Sequence, residues 1–121
     1  MDLETRNHLK VLRNLLEHRL RELRGEIRSA EAARRAAATP DGVLDRKDEA
    51  EHEQESAIAE IEETRDWNEA AAVERALHRM DAGTYGDCLE CAEPIPVKRL
   101  LAQPAAELCV VCQQARERKA P

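Results

Sequence analysis

Phenylalanine is missing from this chain of 121 residues, and aromatic side chains make up 2% of it, one Trp (Trp67) and one Tyr (Tyr85). A thick globular core draws much of its buried area from rings, so the apolar seam here is thin and built from Leu, Ile, Val and Ala. No apolar run approaches the ~18 residues of a membrane span, and no membrane association is expected. The opening MDLETRNHLK has no apolar signal segment, so the protein is expected to be cytoplasmic, where disulfides are not favoured. A basic excess is lacking too. The net charge is −6, which argues against a protein whose main affinity is for nucleic-acid phosphates. Glycine occurs 4 times and proline 5 times, so each of them punctuates the chain.

Charge is abundant, at 36% of residues, and so is alanine, a composition suited to long exposed helices. From Leu3 to Ala38 the leucines at 9, 12, 16, 20 and 23 continue through Ile27 and Ala30 at steps of three and four, one face of a helix. Thr39-Pro40-Asp41-Gly42 breaks that pattern. Asp45 and Asp48 then stand where acidic side chains suit the start of a second helix, and no glycine or proline interrupts the chain from Asp45 to Met80. Its apolar residues, Ala57, Ile58, Ile61, Ala72, Val73, Ala76, Leu77 and Met80, read as a weaker seam of the same period. Nine acidic residues lie between Asp45 and Glu63 with no Lys or Arg after Lys47, whereas the first helix is rich in arginine. The two are expected to fold back as an antiparallel helical hairpin. The expected division is a coiled-coil hairpin over 1–82, with helix one at about 2–38, a tip at about 39–50 and helix two at about 45–82, followed by a module over 83–121.

That module holds all four cysteines, in two C-x-x-C pairs, Cys88/Cys91 and Cys109/Cys112, with seventeen residues between the pairs. The paired spacing reads as one structural, tetrahedral zinc ion with four thiolate ligands. The stretch shows little apolar bulk, so its folding is expected to lean on the metal. Asp81-Ala82-Gly83 closes the second helix, with Gly83 as a left-handed cap, and QQARERKAP reads as a short C-terminal helix. His8, His18, His52 and His78 are dispersed and read as surface residues.

The pattern Tyr85, Gly86, Cys88, Cys91, then Ile95, Arg99, Leu100, Ala102, Pro104, then Leu108, Cys109, Cys112 resembles the DksA/TraR family of four-cysteine zinc-finger proteins. The resemblance extends to Asp45-Arg46-Lys47-Asp48-Glu49-Ala50, which is similar to the D-x-x-D-x-A motif at the hairpin end of DksA-like members. It implies a mostly α fold, a long antiparallel coiled-coil hairpin with a small zinc-finger module. It also implies a transcription regulator that binds RNA polymerase directly and inserts the coiled-coil tip, with Asp45, Asp48 and Ala50, into the secondary channel, modulating initiation at selected promoters, commonly with ppGpp. Lys98 and Arg99 are then candidates for a polymerase-docking surface. The chain departs from the family at three places. Ala92 stands where glycine usually follows the second cysteine, and Gln103 and Gln113 stand where ppGpp-responsive members carry basic residues. A polyphosphate needs cationic partners, so weak ppGpp dependence is expected. The chain also begins almost at helix one, and contacts made by a longer N-terminus are not expected.

Two other readings compete. A zinc ribbon that binds nucleic acid would use Lys98, Arg99, Arg116, Arg118 and Lys119, but no aromatic platform accompanies them. A transcript-cleavage factor of the Gre type shares the acidic hairpin tip but lacks the four cysteines. No nucleophile and base arrangement is evident, so an enzyme is not expected. Sequence-specific DNA binding is not expected either, and the protein is expected to be a monomer.

Overall fold

The structure, a computed structural model, describes residues 1–37 and 46–119. Five helices carry it: α1 (Leu3–Asn7), α2 (Leu9–Ala37), α3 (Arg46–Ala82), α4 (Val97–Ala102) and α5 (Val110–Lys119). Among the described residues the only extended pairing is an isolated antiparallel bridge between Asp87 and Pro94. Among the described residues no helix is long and apolar enough to cross a membrane. Helices α2 and α3 run antiparallel: Arg13 pairs with Asp81 and, further along α2, Arg34 pairs with Glu63. The chain divides into two compact units, Met1–Leu20 with Ala72–Pro121, and Arg21–Ala71.

In the first unit the helical run expected to start near residue 2 is interrupted once, at His8. The Asp2 side chain caps α1 by accepting from the Thr5 N–H at 2.9 Å. His8 Nδ1 lies 2.9 Å from the Glu4 carbonyl, the acceptor that the His8 backbone N–H would take in a continuous α-helix. That N–H turns to Thr5 O at 3.1 Å instead, a tighter turn that separates α1 from α2. The periodicity of the leucines carried no sign of it.

Leu12, Leu16 and Leu20 of α2 and Val73, Ala76 and Met80 of α3 are buried at helical spacing, and with them Tyr85, Ile95, Val97, Leu100 and Leu108 of the cysteine-bearing segment. The expectation of little apolar bulk in that segment is thereby corrected. Its hydrophobes are few, but five of them are almost fully removed from water, each worth about 1.5–3 kcal/mol. Their spacing is irregular, so neither a helical nor a strand period announced them. Helix α3 ends at Gly83, φ +78°, where the Thr84 N–H reaches Arg79 O at 2.9 Å and the Gly83 N–H reaches Met80 O at 3.2 Å. These two bonds satisfy two of the last four carbonyls of the helix.

In the second unit Leu23, Ile27 and Ala70 are buried, and so is the carboxylate of Glu63. Ile58 and Ile61, expected in the seam, are 54% and 56% exposed, and Ala57 is exposed as well. The phase of α3 explains this. Counting back from Ala70 by sevens and by alternating fours and threes gives Glu63, Ala59, Ser56 and His52, and these residues line the space facing Ala30, Ala33 and Ala37 of α2. Small and polar side chains therefore occupy the inward face, and the two isoleucines fall off it.

Candidate functional site

The four cysteines converge in the first unit. Their sulfurs all lie within 4.8 Å of one another, with Cys91 Sγ 3.8 Å from Cys109 Sγ. Sulfur ligands at ~2.3 Å from a tetrahedral zinc ion stand about 3.8 Å apart, so the spacing fits one Zn²⁺ with four ligands. Each pair sits on a tight turn. Around Cys88 the chain doubles back, with Cys88 N–H to Glu93 O at 2.9 Å and Ile95 N–H to Gly86 O at 2.7 Å. Around Cys109 the Cys112 N–H points at Cys109 Sγ, 3.5 Å away. The second pair opens α5, so one of its ligands is carried on a helical turn.

The electrostatics of the cluster suit a cation. Burial works against a Cys88 thiolate, yet backbone N–H groups of Cys91, Cys109 and Glu90 outweigh it and bring the thiol down to about 6. The Cys112 thiol is pushed up, chiefly by its hydrogen bond with Cys109 and further by burial. Sulfurs this close share protons until a metal ion displaces them.

Two backbone positions next to the ligands are special. Ala92, the residue after Cys91, adopts φ +64°, a left-handed conformation that costs a residue with a Cβ about 1–2 kcal/mol. Gly86, φ +89°, is packed so closely by α1 that a Cβ there would meet Thr5 Cγ2 at 2.9 Å. Thr5 itself is buried, and its Oγ1 has no hydrogen-bond partner.

The segment between the pairs is held by side chains from elsewhere in the unit. Tyr85, fully buried, donates its hydroxyl to Pro104 O at 2.7 Å, and burial pushes its pKa up to about 12. Arg99 donates through Nε to Leu108 O at 3.1 Å. Expected as a docking residue, Arg99 is half-buried and braces the second knuckle, while its neighbour Lys98 is exposed on the first turn of α4. Glu107 takes Arg75 and Arg79 of α3, at 2.7 and 3.5 Å, and Arg116 of α5 pairs with Glu90 of the first knuckle. Glu107, Arg75 and Arg79 were not singled out from the sequence, because nothing in their spacing marks a contact that the fold alone creates.

An open cleft of about 690 Å³ lies on this unit, lined among others by Arg75, Arg99, Arg116, Gln103 and Gln113. Each of its three guanidinium groups already has an acceptor from the chain itself, in Glu107, Leu108 O and Glu90. The Gln113 amide donates to Glu117 at 3.0 Å.

In the second unit Asp48 lies in the first turn of α3 and is exposed, as is Ala50. Asp45 falls outside the described residues, as does most of the expected tip. Among the histidines, His18, His52 and His78 are exposed and His8 is half-buried. None of them belongs to the cysteine cluster.

The prokaryotic dksA/traR C4-type zinc-finger model matches residues 83–118, the span of the two knuckles and the segment between them. The RNA polymerase-binding transcription factor DksA of Escherichia coli (strain K12) is 30% identical over 111 residues, covering 90% of this chain and 71% of that protein. The protein of the same description from Caulobacter vibrioides is 43% identical over 47 residues, where this chain spans 33% of its length. Against that of Haemophilus influenzae, 32% identical over 90 residues, it spans 62%. Among solved structures, that of transcription factor DksA2 from Pseudomonas aeruginosa superposes with a TM-score of 0.78 at 28% identity, covering 91% of this chain and 83% of the other.

Proposed function

Because the chain belongs to the DksA/TraR family of C4-type zinc-finger proteins, we propose that it is a transcription regulator that binds RNA polymerase directly and acts through the end of its hairpin. The observation that carries this reading is the extent of the likeness. The match to the Escherichia coli polymerase-binding factor takes in 90% of this chain, so it reaches the helices as well as the zinc module, which alone would be shared with other zinc ribbons.

The zinc ion, held by Cys88, Cys91, Cys109 and Cys112, supplies structural cross-linking. The working residues are Asp45, Asp48 and Ala50, delivered into the secondary channel of the polymerase. Carboxylates at a narrow helix end can favour one conformation of a basic, Mg²⁺-containing site over another by differential contacts, and a regulator needs no more than that. Exposure of Asp48 and Ala50 at the start of α3 supports such delivery. Lys98, exposed on α4, is the candidate docking cation. Arg99 contributes by holding the surface in shape through Leu108 O. The effect depends weakly on ppGpp, since the guanidinium groups of the 690 Å³ cleft are engaged internally and Gln103 and Gln113 add no charge.

Titration of a fluorescently labelled chain with core RNA polymerase and, at equal salt, with duplex DNA tests the assignment. Saturable binding to polymerase with no comparable binding to DNA is expected. The reverse preference would support a nucleic-acid-binding ribbon in its place.

A further inference from the structure

Glu107 stands two positions before Cys109, outside the ligand set, yet it touches every part of the structure that the metal site must bring together. Its Oε1 accepts from Arg75 Nη2 at 2.7 Å and its Oε2 lies 3.5 Å from Arg79 Nη1. Arg75 and Arg79 are four positions apart and so neighbours on one face of α3, and the carboxylate grips two successive turns of that helix. The backbone carbonyl of the same residue accepts the N–H of Leu89, the residue after Cys88, at 2.9 Å. Leu108 follows, buried, with its carbonyl held by Arg99, and then comes Cys109. One residue thus connects the last turns of α3, the first knuckle and the second.

Four sulfurs separated by a seventeen-residue connection can close on an ion from a loose loop or from a loop already in place. The first route carries the entropy of ordering that loop as part of every binding event. The second places the ordering in the fold, and metal affinity rises accordingly. The carboxylate is 24% exposed, Arg79 15% and Arg75 53%, so the grip is partly sheltered from water, and the hydrogen bond to Glu107 raises the Arg75 pKa further. Groups that orient a ligand without touching the ion commonly change affinity 10–100-fold when removed.

We propose that Glu107 is a positioning residue for the zinc site, holding α3 through its carboxylate and the first knuckle through its carbonyl, so that zinc affinity and the order of the last turns of α3 are coupled through it. This coupling concerns the folded chain alone and stands apart from any partner.

Two variants and two readouts test it. Glu107→Gln keeps the size of the side chain and removes its charge. Arg75→Gln/Arg79→Gln removes the other half of the grip while leaving every residue of the zinc module in place, so it decides the matter if Glu107→Gln does not fold. Competition for Zn²⁺ with a chromophoric chelator is expected to show affinity lowered about 10-fold in each, and no further loss when the three substitutions are combined, because they interrupt one interaction. Amide hydrogen exchange at Ala76–Ala82 is expected to quicken in the wild type when zinc is stripped, and to be quick already in zinc-saturated Glu107→Gln. Unchanged zinc affinity in both variants, additive losses in the combination, or exchange at Ala76–Ala82 indifferent to zinc in the wild type would each overturn the coupling.

Discussion

Thr5 is buried with a hydroxyl that has no partner, and a buried polar group left in that state costs about 1–3 kcal/mol. Thr5→Val keeps the branched shape and removes the cost, so a gain of about 1 kcal/mol is expected in urea unfolding, seen as a higher midpoint at unchanged slope. Its neighbour across the contact gives the opposite result. Gly86→Ala adds a Cβ at φ +89° and 2.9 Å from Thr5 Cγ2, and strain with overpacking predicts a loss of about 2 kcal/mol or more. Ala92→Gly removes the strain of φ +64°. Part of that gain is offset by the freer unfolded chain, and a net stabilisation of up to about 1 kcal/mol is expected. Tyr85 can be followed directly because it is the one tyrosine of the chain. Its folded pKa, about 12, lies above the ordinary value of 10.0 because burial favours the neutral phenol. The stabilising effect of that preference is complete below pH 10 and is lost as pH rises through 12. Phenolate absorbance is expected to rise with a midpoint near 12 while the protein is folded; a midpoint at 10.0 in folded protein would show that the ring is wet.

At the level of elements, the second unit tests how a thin seam holds. Glu63 is 9% exposed and its Arg34 partner lies in solvent. A single exposed arginine contributes about 0–1 kcal/mol, so Arg34→Ala is expected to be mildly destabilising, whereas Glu63→Leu continues the apolar line of Ala70 and Ile27 and is expected to be neutral or stabilising by about 1–4 kcal/mol in thermal unfolding. A strong loss in the Leu variant would mean that the carboxylate specifies the register of α2 against α3. The same unit marks a limit of sequence reading. The leucine period of α2 was legible, because three- and four-residue steps report directly on one helix face. The phase of α3 was not, since its inward positions carry His52, Ser56, Ala59 and Glu63, residues that hydropathy assigns to solvent, while Ile58 and Ile61 mimic a seam they do not enter. The knuckles were legible from spacing alone. The hydrogen bond from Arg99, a candidate docking group, to Leu108 O was not legible, because that acceptor is brought beside the side chain only by the fold.

For the molecule as a whole, the metal site belongs to the cysteine-bearing unit, whereas the proposed contact with RNA polymerase belongs to residues near the start of α3, about forty positions earlier in the chain. Stripping zinc with a chelator is expected to bring the Tyr85 midpoint from about 12 back toward the ordinary phenol range, since the Tyr85–Pro104 hydrogen bond lies in the segment that the ion closes. Whether the hairpin end is the working part is decided by transcription in vitro from a responsive promoter, comparing the wild type with the Asp45→Asn/Asp48→Asn variant at concentrations that saturate RNA polymerase. The variant is expected to keep its zinc and its affinity for polymerase and to lose its effect on transcription. A variant that binds polymerase and still regulates as the wild type does would show that Asp45 and Asp48 are not the working residues.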